Sequence, residues 1–177
     1  MTSDNICTEG ACEKAYEEAR LCAHRILKRR EKSSHELLTR LQEKGHSPQI
    51  SLKVVERFAD VGLVDDERYT EIYIRSAQAA NKGWHRIVRE LGQRGIDTEY
   101  LEPPFDEDEL ERAGLVIARL PLETLKERDK ALRRLVTKGF SYDIARQAIA
   151  LRREIKSESK AGADISHPTA SSAEINF

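Results

Sequence analysis

Three stretches of the chain share one pattern that ends in glycine, and they read Leu37-Leu38-Thr39-Arg40-Leu41-Gln42-Glu43-Lys44-Gly45, Ile87-Val88-Arg89-Glu90-Leu91-Gly92-Gln93-Arg94-Gly95 and Ala131-Leu132-Arg133-Arg134-Leu135-Val136-Thr137-Lys138-Gly139. In each stretch leucine lies four residues before the glycine, and apolar residues lie seven and eight before it. Apolar residues at this spacing share one face of an α-helix. A glycine directly after such a helix is typical of the left-handed residue that ends it. The pattern therefore predicts three helices that end at these glycines.

A side chain that caps helices follows two residues after each glycine: Ser47, Asp97 and Ser141. Such a side chain accepts hydrogen bonds from the free N–H groups at the start of the next helix. Pro48 stands at the first helical position, where proline is tolerated. Each unit therefore contains a helix, a glycine turn, a cap and a second helix. The units recur after 50 and then 44 residues, which is typical of an array of helical repeats.

A further amphipathic helix precedes each of these units, so the chain is predicted to be all-α with about nine helices. The third helices of the repeats are expected at about 48–60, 98–102 and 142–155, the middle one being cut short by Pro103-Pro104. The predicted organisation is a disordered N-terminus, three three-helix repeats and a disordered tail, at residues 1–12, 13–64, 65–105, 106–156 and 157–177.

Composition excludes several classes of protein. The longest apolar run is Leu115-Val116-Ile117-Ala118, far shorter than the ~18 residues of a membrane-spanning helix. The first ten residues lack the basic and apolar regions of a secretory signal. Three cysteines, all among the first 22 residues, leave one unpaired, which disfavours a disulfide scaffold. We therefore expect a soluble cytoplasmic protein without a membrane partner.

The net charge of −1 conceals strongly charged blocks. Residues 97–111 contain eight acidic side chains and no basic one, whereas residues 112–156 contain twelve basic and five acidic side chains. Such asymmetry indicates a partner with an extended charged surface, either nucleic acid or protein.

The sequence offers no support for catalysis. It contains no glycine-rich phosphate loop, no nucleophile-elbow motif and no pair of histidines spaced for one helix turn. Cys7, Cys12, Cys22 and His24 lack the spacing of a zinc finger or knuckle. The acidic run 106–109 is interpreted as favourable charge in the first turn of a helix. We expect neither an enzyme nor a cofactor.

Basic residues recur in register with the repeat. At one, five, nine and thirteen residues before each glycine, ten of the twelve side chains are basic. One interpretation is an ordinary solvated face opposite the leucines. The other is a basic track that binds a phosphate backbone or an acidic protein groove. Its predicted members are Arg86, Arg89, Arg94, Lys126, Lys130, Arg133, Arg134, Lys138 and Arg146.

The helix, turn and helix order also resembles the DNA-reading helix-turn-helix. In that motif the second helix presents polar side chains to base edges. Here those helices offer Gln49, Lys53, Arg146 and Gln147. A protein that binds duplex DNA directly is therefore the alternative hypothesis.

The central motif of the chain resembles the bacterial RecX family. It reads Gly62-Leu63-Val64-Asp65-Asp66-Glu67-Arg68-Tyr69 and continues with Tyr73, Gly83 and Glu90-Leu91-Gly92-Gln93-Arg94-Gly95-Ile96. A C-terminal signature follows at Arg133-Arg134-Leu135-Val136-Thr137-Lys138-Gly139-Phe140-Ser141-Tyr142-Asp143. The resemblance covers residues 15–152 and departs at Thr70, where the family usually has alanine, and at Pro103-Pro104. The conspicuous motif residues are interpreted as structural, as turns and caps: Gly45, Gly62, Asp65, Asp66, Gly95 and Gly139.

The resemblance implies a non-enzymatic modulator of the recombinase RecA, involved in homologous recombination, DNA repair and the SOS response. Members of this family are tandem three-helix repeats that form an elongated, curved array. They lie in the groove of the RecA–DNA filament, block its extension or destabilise it, and suppress strand exchange and ATP hydrolysis. The expected partner is thus the RecA filament, with a weak contact to DNA, and the protein itself is expected to be a monomer.

Overall fold

The computed structural model describes residues 9–163, with side chains described for residues 10–157. This part of the chain is all-α, which confirms the predicted fold class, and within it no strand occurs. It forms eight helices: α1 (Glu9–Leu27), α2 (Ser34–Glu43), α3 (Pro48–Asp60), α4 (Asp66–Ala79), α5 (Trp84–Gly92), α6 (Asp106–Ile117), α7 (Leu125–Lys138) and α8 (Tyr142–Ala163).

The helices pack as two compact units. The first unit contains the described residues up to Ala80 together with Ile87–Glu102, and the second contains Asn81–Arg86 and the described residues from Pro103 onward. In the first unit α1, α2 and α3 enclose one apolar core, and in the second α6, α7 and α8 enclose another. The leucine four residues before each glycine is fully buried in all three repeats, at positions Leu41, Leu91 and Leu135.

The helix ends follow the local signals of the sequence. Gly45, Gly95 and Gly139 have φ of 90°, 75° and 95°, which confirms the predicted left-handed turns. The hydroxyls of Ser47 and Ser141 accept the N–H groups of residues 50 and 144, so both caps form as predicted. Because these contacts span only a few residues, the sequence pattern alone suffices to place them.

The predicted helix at 98–102 is wrong. Asp97 accepts the N–H of Glu99, but only a short turn follows, and the chain is irregular up to the start of α6. Only seven residues separate Gly95 from Pro103. A proline also disfavours the helical conformation of the residue before it, so this short segment does not form a helix. The second repeat therefore keeps two helices, and the described chain has eight helices in place of the nine expected.

Both terminal helices extend into segments predicted to be disordered. α1 begins at Glu9, so residues 9–12 of the segment predicted to be disordered are helical, and residues 1–8 lie outside the described residues. α8 continues to Ala163, so residues 157–163 of the predicted tail are helical as well, and the remainder lies outside the described residues.

Candidate partner-binding face

The exposed side of α7 carries a dense row of cations. Thr124 and Glu127 form a reciprocal capping box that begins this helix, and Ala131 and Leu135 turn its apolar side to the core of the second unit. Four cations on the remaining surface are exposed, and we call them the α7 basic face: Lys126, Lys130, Arg133 and Arg134.

The cations of the α7 basic face share the surface of this helix with the exposed carboxylate of Asp129, but they form no ion pair with it in the described chain. Within the part of the chain that the structure describes, none of its four side chains forms an ion pair or a side-chain hydrogen bond. Like charges four residues apart on a helix repel one another, so this row costs α7 some stability. The arrangement is chemically suited to a surface with closely spaced anions, such as a phosphate backbone or an acidic protein groove.

A shallow groove between α7 and α8 extends the basic surface of the second unit. Arg146 is exposed there, and its guanidinium carbon lies 5.9 Å from the centre of the Tyr142 ring. Arg128 and Arg153 line the same groove with one carboxylate, that of Asp129. The predicted track member Arg146 therefore lies beside further arginines that the repeat register did not single out.

Arg94 of the predicted track is held inside the first unit. Its guanidinium lies 4.6 Å from the centre of the Tyr73 ring, and its Nε is 3.6 Å from a carboxylate oxygen of Glu36. It also donates to the carbonyl of Glu90 at 2.6 Å. These contacts tie α2, α4 and the end of α5 together, so the structure gives Arg94 an internal bonding role that its register position did not reveal.

The other track members differ in exposure. Arg89 is exposed, whereas Arg86 and Lys138 are half-buried. The backbone and Cβ of Arg86 pack against the turn at Gly139, which explains its partial burial. In the first repeat, two of the register cations pair with carboxylates, Lys32 with Glu36 and Arg40 with Glu43. Among the three register helices described, α7 is thus the one that carries a row of cations without ion pairs. In the other two repeats, Lys44 and Arg89 also form no ion pair within the described chain.

Tyr69 belongs to the same network as Arg94. Its hydroxyl donates to a Glu36 carboxylate oxygen at 3.2 Å, and its ring stacks near Tyr73 with centres 6.2 Å apart. Burial, followed by the neighbouring negative charge of Glu36, raises the pKa of Tyr69 to about 12. The tyrosine is therefore held protonated at pH values where an exposed tyrosine ionises.

We expect this shift to be visible in a spectroscopic titration. Replacing Tyr69 by phenylalanine should remove a tyrosine that ionises near pH 12. Because the folded state favours the protonated form, the contribution of Tyr69 to stability is complete below pH about 10 and is lost as the pH rises through about 12. The measurement is tyrosinate absorbance against pH; loss of a tyrosine that ionises near pH 10 would contradict the expectation.

The start of α2 is joined to the glycine turn of the second repeat. The buried hydroxyl of Ser33 accepts the N–H of Glu36 and donates to the carbonyl of Arg94 at 2.7 Å. The next N–H, that of Ser34, donates to the Asp66 carboxylate at 2.8 Å. A carboxylate at this place also faces the positive end of the α2 dipole. Asp66 therefore links the start of α4 to the start of α2 within the first unit.

The start of α5 makes the equivalent joint with the third repeat. The N–H of Gly83 donates to the carbonyl of Lys138 at 3.0 Å, and that of His85 donates to the carbonyl of Gly139 at 3.1 Å. The N–H of Trp84 donates to the Glu109 carboxylate at 2.6 Å. Gly83 and Trp84 stand 50 residues after Ser33 and Ser34, so the joint is repeated in register.

Glu109 is the structural residue that sequence reasoning missed. The acidic run does lie in the first turn of α6, as predicted, but Glu109 is only 5% exposed and bonds to another helix. The spacing shared by Ser34 and Trp84 could have drawn attention to a carboxylate in the following repeat. Two other motif residues act locally: Gly62 has φ of 70°, and Asp65 caps α4 by accepting the N–H of Arg68.

The remaining sequence candidates stay apart. Cys12 and Cys22 are unpaired thiols, and Cys7 lies outside the described residues. Across the described chain, no three His, Cys, Asp or Glu side chains come together in a way that could hold a metal ion. None of the described helices is both long and apolar enough to cross a membrane.

Comparison with known proteins gives matches in sequence. The family model described as the second three-helix domain of RecX matches residues 65–102, and that of the first three-helix domain matches residues 19–58. A protein named regulatory protein RecX from Chromohalobacter salexigens is 32% identical over 134 residues, covering 72% of this chain and 88% of that protein. Its namesake from Halorhodospira halophila is 33% identical over 143 residues, covering 77% and 89%.

The fold matches solved structures as well. The crystal structure of RecX from Lactobacillus salivarius has a TM-score of 0.67 to this chain at 21% identity and covers 80% of it and 98% of that chain. A second structure, described as regulatory protein RecX, has a TM-score of 0.66 at 19% identity. At such identities the likeness concerns the all-α fold alone.

Proposed function

Because the chain belongs to the family of RecX regulatory proteins, we propose that it regulates the recombinase RecA by binding the RecA–DNA filament. In this proposal the protein limits filament growth and so reduces strand exchange and ATP hydrolysis. It acts by binding, as a monomer and without a cofactor. The proposal includes no catalytic activity, which agrees with the name of the relatives, regulatory protein RecX.

The α7 basic face is the observation that carries the proposed contact. Its four cations are exposed and make no ion pair within the described chain, so they are available to anions of a partner. A filament of protein wound on DNA offers such anions as phosphates and as surface carboxylates. Arg146 and Lys138, at the margins of this face, and Arg89, in the first unit, complete the proposed contact set.

The direct test is RecA ATP hydrolysis on single-stranded DNA, titrated with this protein from substoichiometric amounts upward. One bound molecule that blocks a filament affects many RecA subunits, so we expect inhibition well below an equimolar ratio. Unchanged hydrolysis up to an equimolar ratio would overturn the proposed function. Tight binding to one duplex sequence without RecA would instead favour the helix-turn-helix alternative.

The α7 basic face is tested by replacing Lys130, Arg133 and Arg134 together with glutamine, which keeps helix propensity. We expect half-inhibition of RecA hydrolysis to require roughly tenfold more protein, because three charge contacts with the filament are lost. The measurement is the same hydrolysis titration, with far-ultraviolet circular dichroism to verify that helicity is unchanged.

The matched control removes the same charge elsewhere. Lys14, Arg57 and Arg75 are exposed cations of α1, α3 and α4 without a described ion pair, and all three are replaced by glutamine. This variant should inhibit like the original protein. If both variants lose inhibition equally, net charge governs the effect and the assignment of the contact to α7 fails.

A further inference from the structure

A second basic surface lies in the first repeat, in a groove between the end of α1 and the length of α2. Cys22 and Ile26 form part of its lining, and no carboxylate lines it among the described residues. Seven cations do, and together these residues define the α1–α2 groove: Arg25, Lys28, Arg29, Arg30, Lys32, Arg40 and Lys44.

Most of these cations lack an ion partner. Lys32 pairs with Glu36 and Arg40 with Glu43, whereas the other five form no ion pair within the described chain. Lys28, Arg29 and Arg30 follow α1 as three consecutive exposed residues. In a protein whose net charge is −1, such a concentration of one sign is not a consequence of overall composition.

Helix dipoles do not account for the charge. The C-terminus of a helix carries about half a negative charge, so the ends of α1 and α2 together offset roughly one cation. Seven cations line the groove, two of them paired with carboxylates. The cations that remain without a compensating negative charge repel one another unless a polyanion occupies the groove.

We propose that the α1–α2 groove binds the phosphodiester backbone of nucleic acid. Four of its seven cations are arginines, whose planar guanidinium matches the oxygens of a phosphate in two parallel hydrogen bonds. A nucleic-acid strand presents closely spaced charges of one sign, whereas the carboxylates of a protein surface are mostly interspersed with cations. The lining of the groove, which is rich in cations and contains no carboxylate among the described residues, therefore fits the nucleic acid better.

The groove binds without reading sequence. No aromatic side chain lines it, so bases have no ring on which to stack. Phosphate contacts position a strand but carry no sequence information. This site lies on the first repeat, apart in sequence from the α7 basic face. Its binding to DNA needs no RecA. The inference therefore does not rest on the proposed function.

The test uses the full chain and fluorescein-labelled oligothymidine, with binding followed by fluorescence anisotropy at increasing salt. Lys28, Arg29 and Arg30 are replaced together by glutamine; they lie in an exposed turn after α1, where the change leaves the core intact. We expect affinity at low salt to fall roughly tenfold or more, and the slope of log affinity against log salt to decrease in magnitude by about 2, since each contacted phosphate contributes ~0.7.

The variant at Lys14, Arg57 and Arg75 serves as the control with the same charge change, and it should retain the original affinity and slope. Unchanged affinity and slope in the groove variant would overturn the proposal, as would an equal loss in both variants. Poly-glutamate of matched length should compete much more weakly than unlabelled oligothymidine. Equal competition would overturn the phosphodiester assignment and favour an acidic protein partner.

Discussion

Replacing Gly139 by alanine is expected to destabilise the second unit by about 2–5 kcal/mol. Gly139 has φ of 95°, and an L-residue in left-handed backbone costs about 1–2 kcal/mol. A Cβ at this position would also overlap the Cβ of Arg86 and lie 2.6 Å from its backbone nitrogen. Because these atoms belong to the start of α5 and cannot rotate away, overpacking adds about 1–3 kcal/mol.

Gly45 provides the matched control, since it occupies the same position in the first repeat. Its φ is 90°, but a Cβ there would meet no atom within 4 Å. Gly45→Ala should therefore cost only the backbone strain of about 1–2 kcal/mol.

Urea unfolding followed by circular dichroism measures both glycine variants. Fluorescence of Trp84, the single tryptophan of the chain, identifies the transition of the second unit, because Trp84 lies in the joint next to Gly139. A chain with two units can unfold in more than one step, so each transition is fitted separately. Equal costs for the two substitutions would contradict the joint between α5 and the third repeat.

Replacing Glu109 by alanine should destabilise the second unit by about 2–3 kcal/mol. Its buried carboxylate accepts the N–H of Trp84 at 2.6 Å, and hydrogen bonds to charged groups contribute about 1.5–3 kcal/mol. The substitution leaves an N–H at the start of α5 without an acceptor and removes a negative charge from the positive end of that helix. Glu109→Gln keeps an acceptor and should cost less.

Glu107 is the control for the charge of the first turn. It lies two residues before Glu109 on α6 and is exposed. Glu107→Ala should change stability by about 0.3–1 kcal/mol, the range for a charge near a helix end. Urea unfolding with Trp84 fluorescence measures both variants, and a similar loss for Glu107 and Glu109 would indicate that only helix charge matters.

The sequence by itself determined the local features of this protein and its family. The left-handed glycines, the caps at Ser47, Asp65 and Ser141 and the buried leucine before each glycine agree with the structure. Each of these features depends on atoms within one or two turns of helix, so residue identity and spacing decide it. The resemblance carried by the same motifs is confirmed by relatives that are 32% and 33% identical.

The tertiary structure alone decided which side chains are available to a partner. Arg94 and Arg134 share one basic pattern along the sequence, yet Arg94 is bonded to Glu36 and Tyr73, while Arg134 remains exposed. Glu107 and Glu109 share one acidic run, yet only Glu109 is buried against another helix. Helical periodicity tells which residues share a face, but the neighbour that covers a face comes from residues tens of positions away in the chain.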